Sequence, residues 1–391
     1  MDHTTNIGVL FGSRSPEHDV SIITGTLVIS ALRKIGYRVT PIYIGTDGTW
    51  HIGDELGSLS FYKDNSPAKL KRFSYYSIDL AKSNGKLVFC TNGFLKKTIT
   101  VDIAFPAFHG QYGEDGTIQG LFEMLGVPYV GCDVESSAIT MYKVTTKLLY
   151  QANNIPTTPL IHFFRTEWEH DRAGILKKIE DFLSWPLFVK PARLGSSIGI
   201  SKASTPKDLE FAIEVALHYD GKCLVENAVS PLTDITCAVY GPTAEPVTSL
   251  LQESAFNKDF FSYEDKYLND GGAQLGKAKN SVIIPANLDE ENVKKIRKIA
   301  AEVYTLTGCS GIARVDFLYN REANLFFANE VNTLPGTLYH HLWKASGLEL
   351  DMLIEKLLEC AVKTHAEKQR TIRTFESEIL KYAHSIKLKG K

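Results

Sequence analysis

The stretch from Gly311 to Gly336, GIARVDFLYNREANLFFANEVNTLPG, constrains this chain more than any other. IARVDFLY alternates with period two, NREAN is polar turn chemistry, and LFFANEVN is a second strand, so the stretch reads as a β-hairpin. Arg314 and Asp316 are two apart and share a face. Glu330 and Asn332 do the same on the returning strand, and a hairpin is able to bring the two pairs opposite each other. Asp316, Glu330 and Asn332 offer hard oxygens, a set that suits magnesium bound through carboxylates and substrate phosphates rather than zinc. The fixed guanidinium of Arg314 suits charge developing on a transferring phosphoryl group or an oxyanion. The plain alternative is a surface hairpin whose charges satisfy one another.

At 391 residues the chain exceeds the roughly 250 to 300 at which a single core stops growing, so two or three domains are expected. A formal charge of -2 and a pI near 6.6 give no electrostatic case for nucleic acid or an acidic membrane surface. Small-molecule chemistry fits better. The six cysteines, at 90, 132, 223, 237, 309 and 360, lack CxxC or CxxH spacing, so neither a zinc site nor a disulfide framework is expected and a reducing cytoplasm fits. MDHTTNIGVLF has neither the basic start nor the apolar core of a signal peptide, and no later run approaches the length of a membrane span, so a soluble, unexported protein is expected.

Along the chain, NIGVLF is a short strand, GSRSPEHD a loop, VSIITGTLVISALRKIGY a helix and VTPIYIG a second strand, which together make a βαβ unit. VDIAFPAFHG repeats the strand-to-loop plan, and IQGLFEMLGVPYVG adds a short helix and a strand. Residues 1–135 are therefore expected to form an open α/β domain with ligand loops at strand carboxyl ends. Residues 136–229 are read as a second domain, opened by one helix, SSAITMYKVTTKLLYQANN, with strands PLFVKPA, IGISKA and KCLVENAV around a helix near 206–218. Residues 230–368 form a third, with strands ITCAVYG and PVTSLLQ, a helix at 289–307, the hairpin, and the closing helix ELDMLIEKLLECAVKTHAEK. Within it, 256–281 mixes aromatics, charge and glycine over a length common in lids, with a linker as the alternative. Residues 369–391 read as a charged, solvated extension.

Three further motifs carry chemistry. FVKPARLGSSIGIS puts Lys190 at a strand end ahead of a glycine and hydroxyl loop whose backbone N–H groups are able to wrap phosphate oxygens; it is not a Walker loop, because the lysine precedes the glycines. An ordinary turn is the alternative there. HGQYGEDGTIQG crowds His109, Glu114 and Asp115 around glycines after an apolar strand, which favours a substrate or nucleotide contact over a simple turn. SPEHDVS reads as a helix start capped by Ser15 or Asp19, where Glu17 either compensates the helix dipole or binds the ammonium of a small substrate.

Taken in order, SPEHDVS, HGQYGEDGTIQG, VKPARLGSSIG, YEDKYL, ARVDF and NEVNTLPG resemble the D-alanine–D-alanine ligase family of the ATP-grasp superfamily. The resemblance implies a three-domain α/β ATP-grasp fold with an N-terminal open α/β domain. It implies ATP-dependent joining of two D-alanines through an acyl phosphate, releasing ADP and phosphate, for peptidoglycan precursor synthesis. Carried over by motif position, Lys143 and Lys190 contact ATP phosphates with Ser197 of the glycine loop, Glu226 meets the adenine region, and Lys266 clamps the γ-phosphate. Asp316, Glu330 and Asn332 hold two magnesium ions, with manganese as a substitute. Glu17 anchors the first D-alanine's amine in a network with Ser196 and Tyr267, Arg314 and the backbone N–H of Gly336 form the oxyanion site, and His109 lies beside the first substrate's carboxylate. The family also implies a homodimer paired through the first domain.

The chain departs from the family's pattern in three places. Leu194 stands where many members carry an acid. Thr233 stands where many carry a glutamate for the ribose, with Asp234 one position on as its substitute. TLYHHL follows NTLPG where many continue MTSHS, which puts His341 where a serine meets the second substrate's carboxylate. A histidine is able to hold a carboxylate, above all when charged. The alternatives are a ligase making D-alanyl-D-serine or D-alanyl-D-lactate and, from another class, a non-catalytic ATP-binding sensor.

Overall fold

Three β-sheets carry the chain in a computed structural model that describes residues 2–63, 66–92, 96–254, 282–372 and 374–382. The expected lid, 256–281, with Lys266 and Tyr267, lies outside the described residues, as does the end of the charged extension.

The first sheet has seven strands: β1 Asn6–Gly12, β2 Arg38–Ile44, β3 Trp50–Ile52, β4 Tyr75–Ile78, β5 Leu87–Thr91, β6 Thr98–Val101 and β7 Ile103–Pro106, in the order β6-β5-β4-β3-β2-β1-β7. β1 runs parallel to β2 and β7, with the helix His18–Lys34 crossing between β1 and β2, so the βαβ unit forms as the apolar spacing dictates. The antiparallel run from β3 to β6 is an addition that the sequence reading does not contain. Those strands are three to five residues long, too short for a period-two signal to stand out.

The second sheet, β8 Leu160–Phe164, β9 Leu187–Pro191, β10 Ser201–Ala203 and β11 Lys222–Asn227, is antiparallel in the order β10-β9-β11-β8. Its core packs Trp168, Ile179, Leu209 and Ile213 against Val189 and Val225. The helix Pro206–Tyr219 starts on a capping box in which Thr205 accepts from the Asp208 N–H, with proline at the first helical position where its missing N–H costs nothing. β8 and the helices Arg165–His170 and Arg172–Phe182 are likewise additions to the sequence reading.

The third sheet, β12 Thr233–Gly241, β13 Val247–Ser254, β14 Val282–Ile283, β15 Gly311–Asn320 and β16 Leu325–Asn332, takes the order β14-β13-β12-β15-β16. The hairpin β15–β16 forms in the expected register, with Arg314 opposite Asn332 and Asp316 opposite Glu330, and the register shifts immediately after Asp316.

One expected element is corrected. The single helix opening the second domain is two, Val134–Met141 and Lys143–Ala152, broken at Tyr142 with φ -90° and ψ 92°. Tyr142 instead forms a bridge to Arg193, whose Nη1 donates to the Tyr142 hydroxyl at 2.9 Å and whose guanidinium lies 4.9 Å from its ring centroid. A tertiary contact overrides helix spacing there. The cores also cut across chain order. Leu342, Trp343, Leu353 and Leu357 near the carboxyl end share a core with Ile29 and Leu32 of the first helix, while Tyr150 and Ile155 pack into the core of the third sheet. No helix among the described residues is long and apolar enough to cross a membrane.

Candidate active site

Between the second and third sheets lies an open cleft with about 870 Å³ of empty space, its mouth included, which is in the size range of small-molecule sites. Lys143, Lys190, Ser197 and Glu226 line one side, and Asp234, Arg314, Asp316, Glu330 and Tyr339 line the other. Asp234 thus faces the cleft, and Thr233 is not among its lining residues.

The basic side is built on one buried carboxylate. Glu226 on β11 pairs with Lys190 on β9 and with Lys147 at 2.7 Å, and accepts from the Thr158 hydroxyl at 2.6 Å. Burial alone would raise the Glu226 carboxyl, but attraction to Lys147 and then Lys190 holds it well below the usual carboxylate range. Burial pushes the Lys147 ammonium down, opposed by Glu226. Lys143 connects two parts of the site, donating to the Leu194 carbonyl at 2.8 Å and pairing with Glu330 at 3.2 Å.

In the glycine loop Ser196 and Ser197 adopt left-handed φ values of 54° and 59°, followed by Gly199 at 72°. Ser196 Oγ donates to Glu17 Oε1, which joins this loop to the start of the first helix. Glu17 is buried there, and a Cβ would meet its Oε2 at 2.6 Å on Gly110, at φ 75°, and at 3.0 Å on Gly195, so these two glycines let their loops close on the carboxylate. Glu17 is itself the residue that caps the helix, without a side-chain cap bond, so neither expected cap, Ser15 or Asp19, serves as one; Ser15 Oγ instead accepts from the Glu17 N–H at 3.1 Å.

Behind Glu17, Glu114 accepts from the Gly110 N–H at 2.7 Å and the Leu334 N–H at 3.3 Å, tying the His109 loop to the NTLPG loop. Burial, then the Glu17 charge, pushes its carboxyl up to about 8. His109 Nε2 lies 2.8 Å from the Thr24 hydroxyl, and burial, then Arg314, pushes the imidazole down to about 3, so it is neutral.

On the hairpin, Arg314 Nε and Nη2 donate to Asp316 Oδ1 and Oδ2 at 2.8 and 2.6 Å. Asn332 Nδ2 and the Thr236 hydroxyl also donate to Asp316, at 3.0 and 3.1 Å. Among the described residues no three His, Cys, Asp or Glu side chains are grouped to hold a metal. Asp316, Glu330 and Asn332 supply two carboxylates and an amide, a donor set that fits magnesium, which keeps several waters and shares substrate phosphates instead of demanding a full protein cage.

After Gly336 the backbone makes a left-handed turn of three non-glycine residues, Thr337, Leu338 and Tyr339, at φ 52°, 55° and 51°. Each costs on the order of 1 kcal/mol or more. The turn sets the Tyr339 ring 4.9 Å from the Arg314 guanidinium, and Gln252 Nε2 donates to the Tyr339 hydroxyl at 3.1 Å. His341 donates from Nε2 to Gln252 Oε1 at 2.7 Å, and burial pushes its ring down to about 4. His341, which the motif order sets where a serine of relatives meets the second substrate's carboxylate, is thus neutral, with its Nε2–H given to Gln252.

The structure thus gathers Lys143, Lys190, Ser197, Glu226, Arg314, Asp316 and Glu330 in one cleft, with Asn332 hydrogen-bonded to Asp316. Glu17 and Ser196 meet beside it. His109 is linked to the turn after Gly336 through Thr24, whose hydroxyl accepts from the Thr337 N–H at 3.0 Å. Sequence reasoning missed Lys147, Tyr339 and Gln252. Lys147 had a signal, lying one helical turn after Lys143 on the same face; Gln252 had none.

Two family models match the chain, D-ala D-ala ligase N-terminus over residues 6–132 and D-ala D-ala ligase C-terminus over residues 149–359. The chain belongs to the D-alanine–D-alanine ligase family. It is 38% identical over 374 residues to the D-alanine–D-alanine ligase of Thermosipho africanus, covering 96% of this chain and 98% of that one. Among solved structures, the D-alanine–D-alanine ligase of Coxiella burnetii matches with a TM-score of 0.78 and 28% identity over 100% of both chains. The VanG D-Ala:D-Ser ligase of Enterococcus faecalis matches with a TM-score of 0.75 and 32% identity, over 92% of this chain and 99% of that one. The fold of this ligase-family chain is the ATP-grasp fold, and membership implies ATP and D-alanine as its small-molecule substrates.

Proposed function

We propose that this enzyme joins two D-alanines into D-alanyl-D-alanine, with ATP converted to ADP and phosphate, as a step in making peptidoglycan precursors. The observation that carries the reading is the convergence on one cleft of Lys143, Lys190 and the Arg314–Asp316/Asn332–Glu330 hairpin. Those groups match a phosphoryl donor at one end and a developing oxyanion at the other.

Lys143 and Lys190, with Ser197, hold the ATP phosphates, and Asp234 faces the ribose. Glu226 supports this by fixing Lys190 and Lys147 beside the adenine end. Magnesium bound by Asp316, Glu330 and Asn332, as two ions or with manganese in their place, supplies neutralisation of phosphoryl charge. Glu17, held by Ser196, receives the first D-alanine's ammonium. The carboxylate of that first D-alanine attacks the γ-phosphoryl group of ATP, giving D-alanyl phosphate and ADP. The second D-alanine, as free amine, then attacks the acyl carbon; Arg314 and the Gly336 N–H meet the tetrahedral oxygen, and phosphate leaves. Lys266 and Tyr267 take the γ-phosphate clamp and the third place in the Glu17 network, by resemblance of their motif. By the same resemblance the working unit is a cytoplasmic homodimer paired through its first domain, which sedimentation of the purified protein tests.

The deciding experiment incubates the protein with ATP, magnesium, D-alanine and each acceptor in turn, and weighs the products. D-Alanyl-D-alanine as the main product is expected. Main products carrying D-serine or D-lactate would move the assignment to those ligases, and ATP binding without ADP release would leave a sensor.

A further inference from the structure

The left-handed turn Thr337–Leu338–Tyr339 is an unusual arrangement, because side chains with a Cβ avoid that region and three in succession require something to hold them. What holds them is buried structure on both sides. Thr24 on the first helix accepts from the Thr337 N–H at 3.0 Å, the Leu338 N–H returns to the Pro335 carbonyl at 2.8 Å, and all three residues are almost inaccessible. The turn delivers the Tyr339 ring against the Arg314 guanidinium, with 4.9 Å between guanidinium carbon and ring centroid. The ring is fixed in turn by the fully buried Gln252, which donates to its hydroxyl at 3.1 Å and is itself anchored by His341 at 2.7 Å.

Arg314 is thereby held on two sides among the described residues. Asp316 takes Nε and Nη2, and the aromatic face takes the guanidinium plane. Neither hydrogen bond uses Nη1, which leaves that nitrogen for charge appearing in the cleft. When a negative charge develops in the cleft, or Asp316 turns to a cation, the aromatic contact is the one that does not compete, since a ring quadrupole attracts the guanidinium without using an N–H.

We propose that Tyr339 is a positioning residue for Arg314: the strained turn presents its ring as a cation–π platform that keeps the guanidinium aimed at the reacting group. This rests on the ligase reading above.

The test replaces Tyr339 by phenylalanine and by phenylalanines carrying one, two, three and five ring fluorines, which keep the shape while weakening the quadrupole, and follows dipeptide formation. Tyr339→Phe is expected to keep kcat within about threefold, and kcat is expected to fall stepwise with fluorination to at least tenfold at five fluorines, with the KM for ATP little changed. A flat series, or a loss confined to KM, would overturn the proposal, as would Tyr339→Leu at wild-type kcat. A wild-type chain that forms no dipeptide would instead overturn the ligase reading, whatever the variants do.

Discussion

Arg314 and Asp316, two residues apart on β15, are joined by a two-pronged ion pair at 2.8 and 2.6 Å with both side chains buried. The residue assigned to the oxyanion and the residue assigned to the metal are thus each other's counter-charge. Replacing Arg314 by methionine should lower kcat on the order of a hundredfold or more, through loss of transition-state stabilisation. It should also destabilise the fold by about 3 to 5 kcal/mol, because Asp316 keeps a buried charge without its partner. Steady-state kinetics and urea unfolding read the two effects, and a variant with near-normal kcat would refute the oxyanion role.

The metal assignment predicts a shift in cation demand. Glu330→Gln removes one of two carboxylates, so half-saturation by magnesium should rise about tenfold to a hundredfold while activity recovers at high magnesium. Chelation of divalent ions should abolish turnover of the wild type. An unchanged magnesium titration in the variant would remove Glu330 from the ligand set.

Lys147 tests the buried carboxylate. Lys147 and Glu226 are each 1% exposed, so Lys147→Met leaves Glu226 in a dry setting with one cation, Lys190, and the Thr158 hydroxyl. A loss of about 3 to 5 kcal/mol is expected, together with a higher KM for ATP as Lys190 is drawn further toward Glu226. Adding Glu226→Leu should recover part of the stability, because an apolar pair avoids the desolvation of two charges. A single variant within about 1 kcal/mol of wild type would show that the network holds nothing together.

His109 and Glu114 make opposite predictions for pH. His109 sits near 3 when folded against 6.5 ordinarily, so between those values the unfolded chain binds more protons and stability falls as the pH drops. The loss is on the order of 2 kcal/mol between pH 7 and 5. Glu114 sits near 8 against 4.5, so the folded chain binds more protons between those values. Its contribution is full below 4.5 and lost as the pH rises through 8. His109→Gln should therefore flatten the acid loss of stability and Glu114→Gln should steepen it, as measured by urea unfolding at pH 5, 6 and 7. Identical slopes in both variants would contradict the buried, neutral state of the two groups.

Sequence alone determined the hairpin, because period-two spacing fixes which residues share a face and a short polar turn joins the strands, but the register at the site was decided by the irregularity after Asp316, without which the pairing set at the turn would leave Asp316 and Glu330 out of step. It determined the first βαβ unit and the long helices for the same reason: these signals are local and periodic. The motif order from SPEHDVS to NEVNTLPG carried the family. What only the tertiary structure decided lies in contacts between residues far apart in the chain. Tyr142 breaks a helix to reach Arg193, Glu226 is committed to two lysines, and the charge of His341, whose ring is bonded to Gln252 89 positions away, is suppressed by burial and then by His340 and Arg314. The left-handed turn at Tyr339 has no glycine to announce it, because its backbone is imposed by Thr24 and the packing around it rather than by its own residues. Local spacing encodes which side chains share a face, whereas protonation, ion pairing and strain depend on what the fold packs against them.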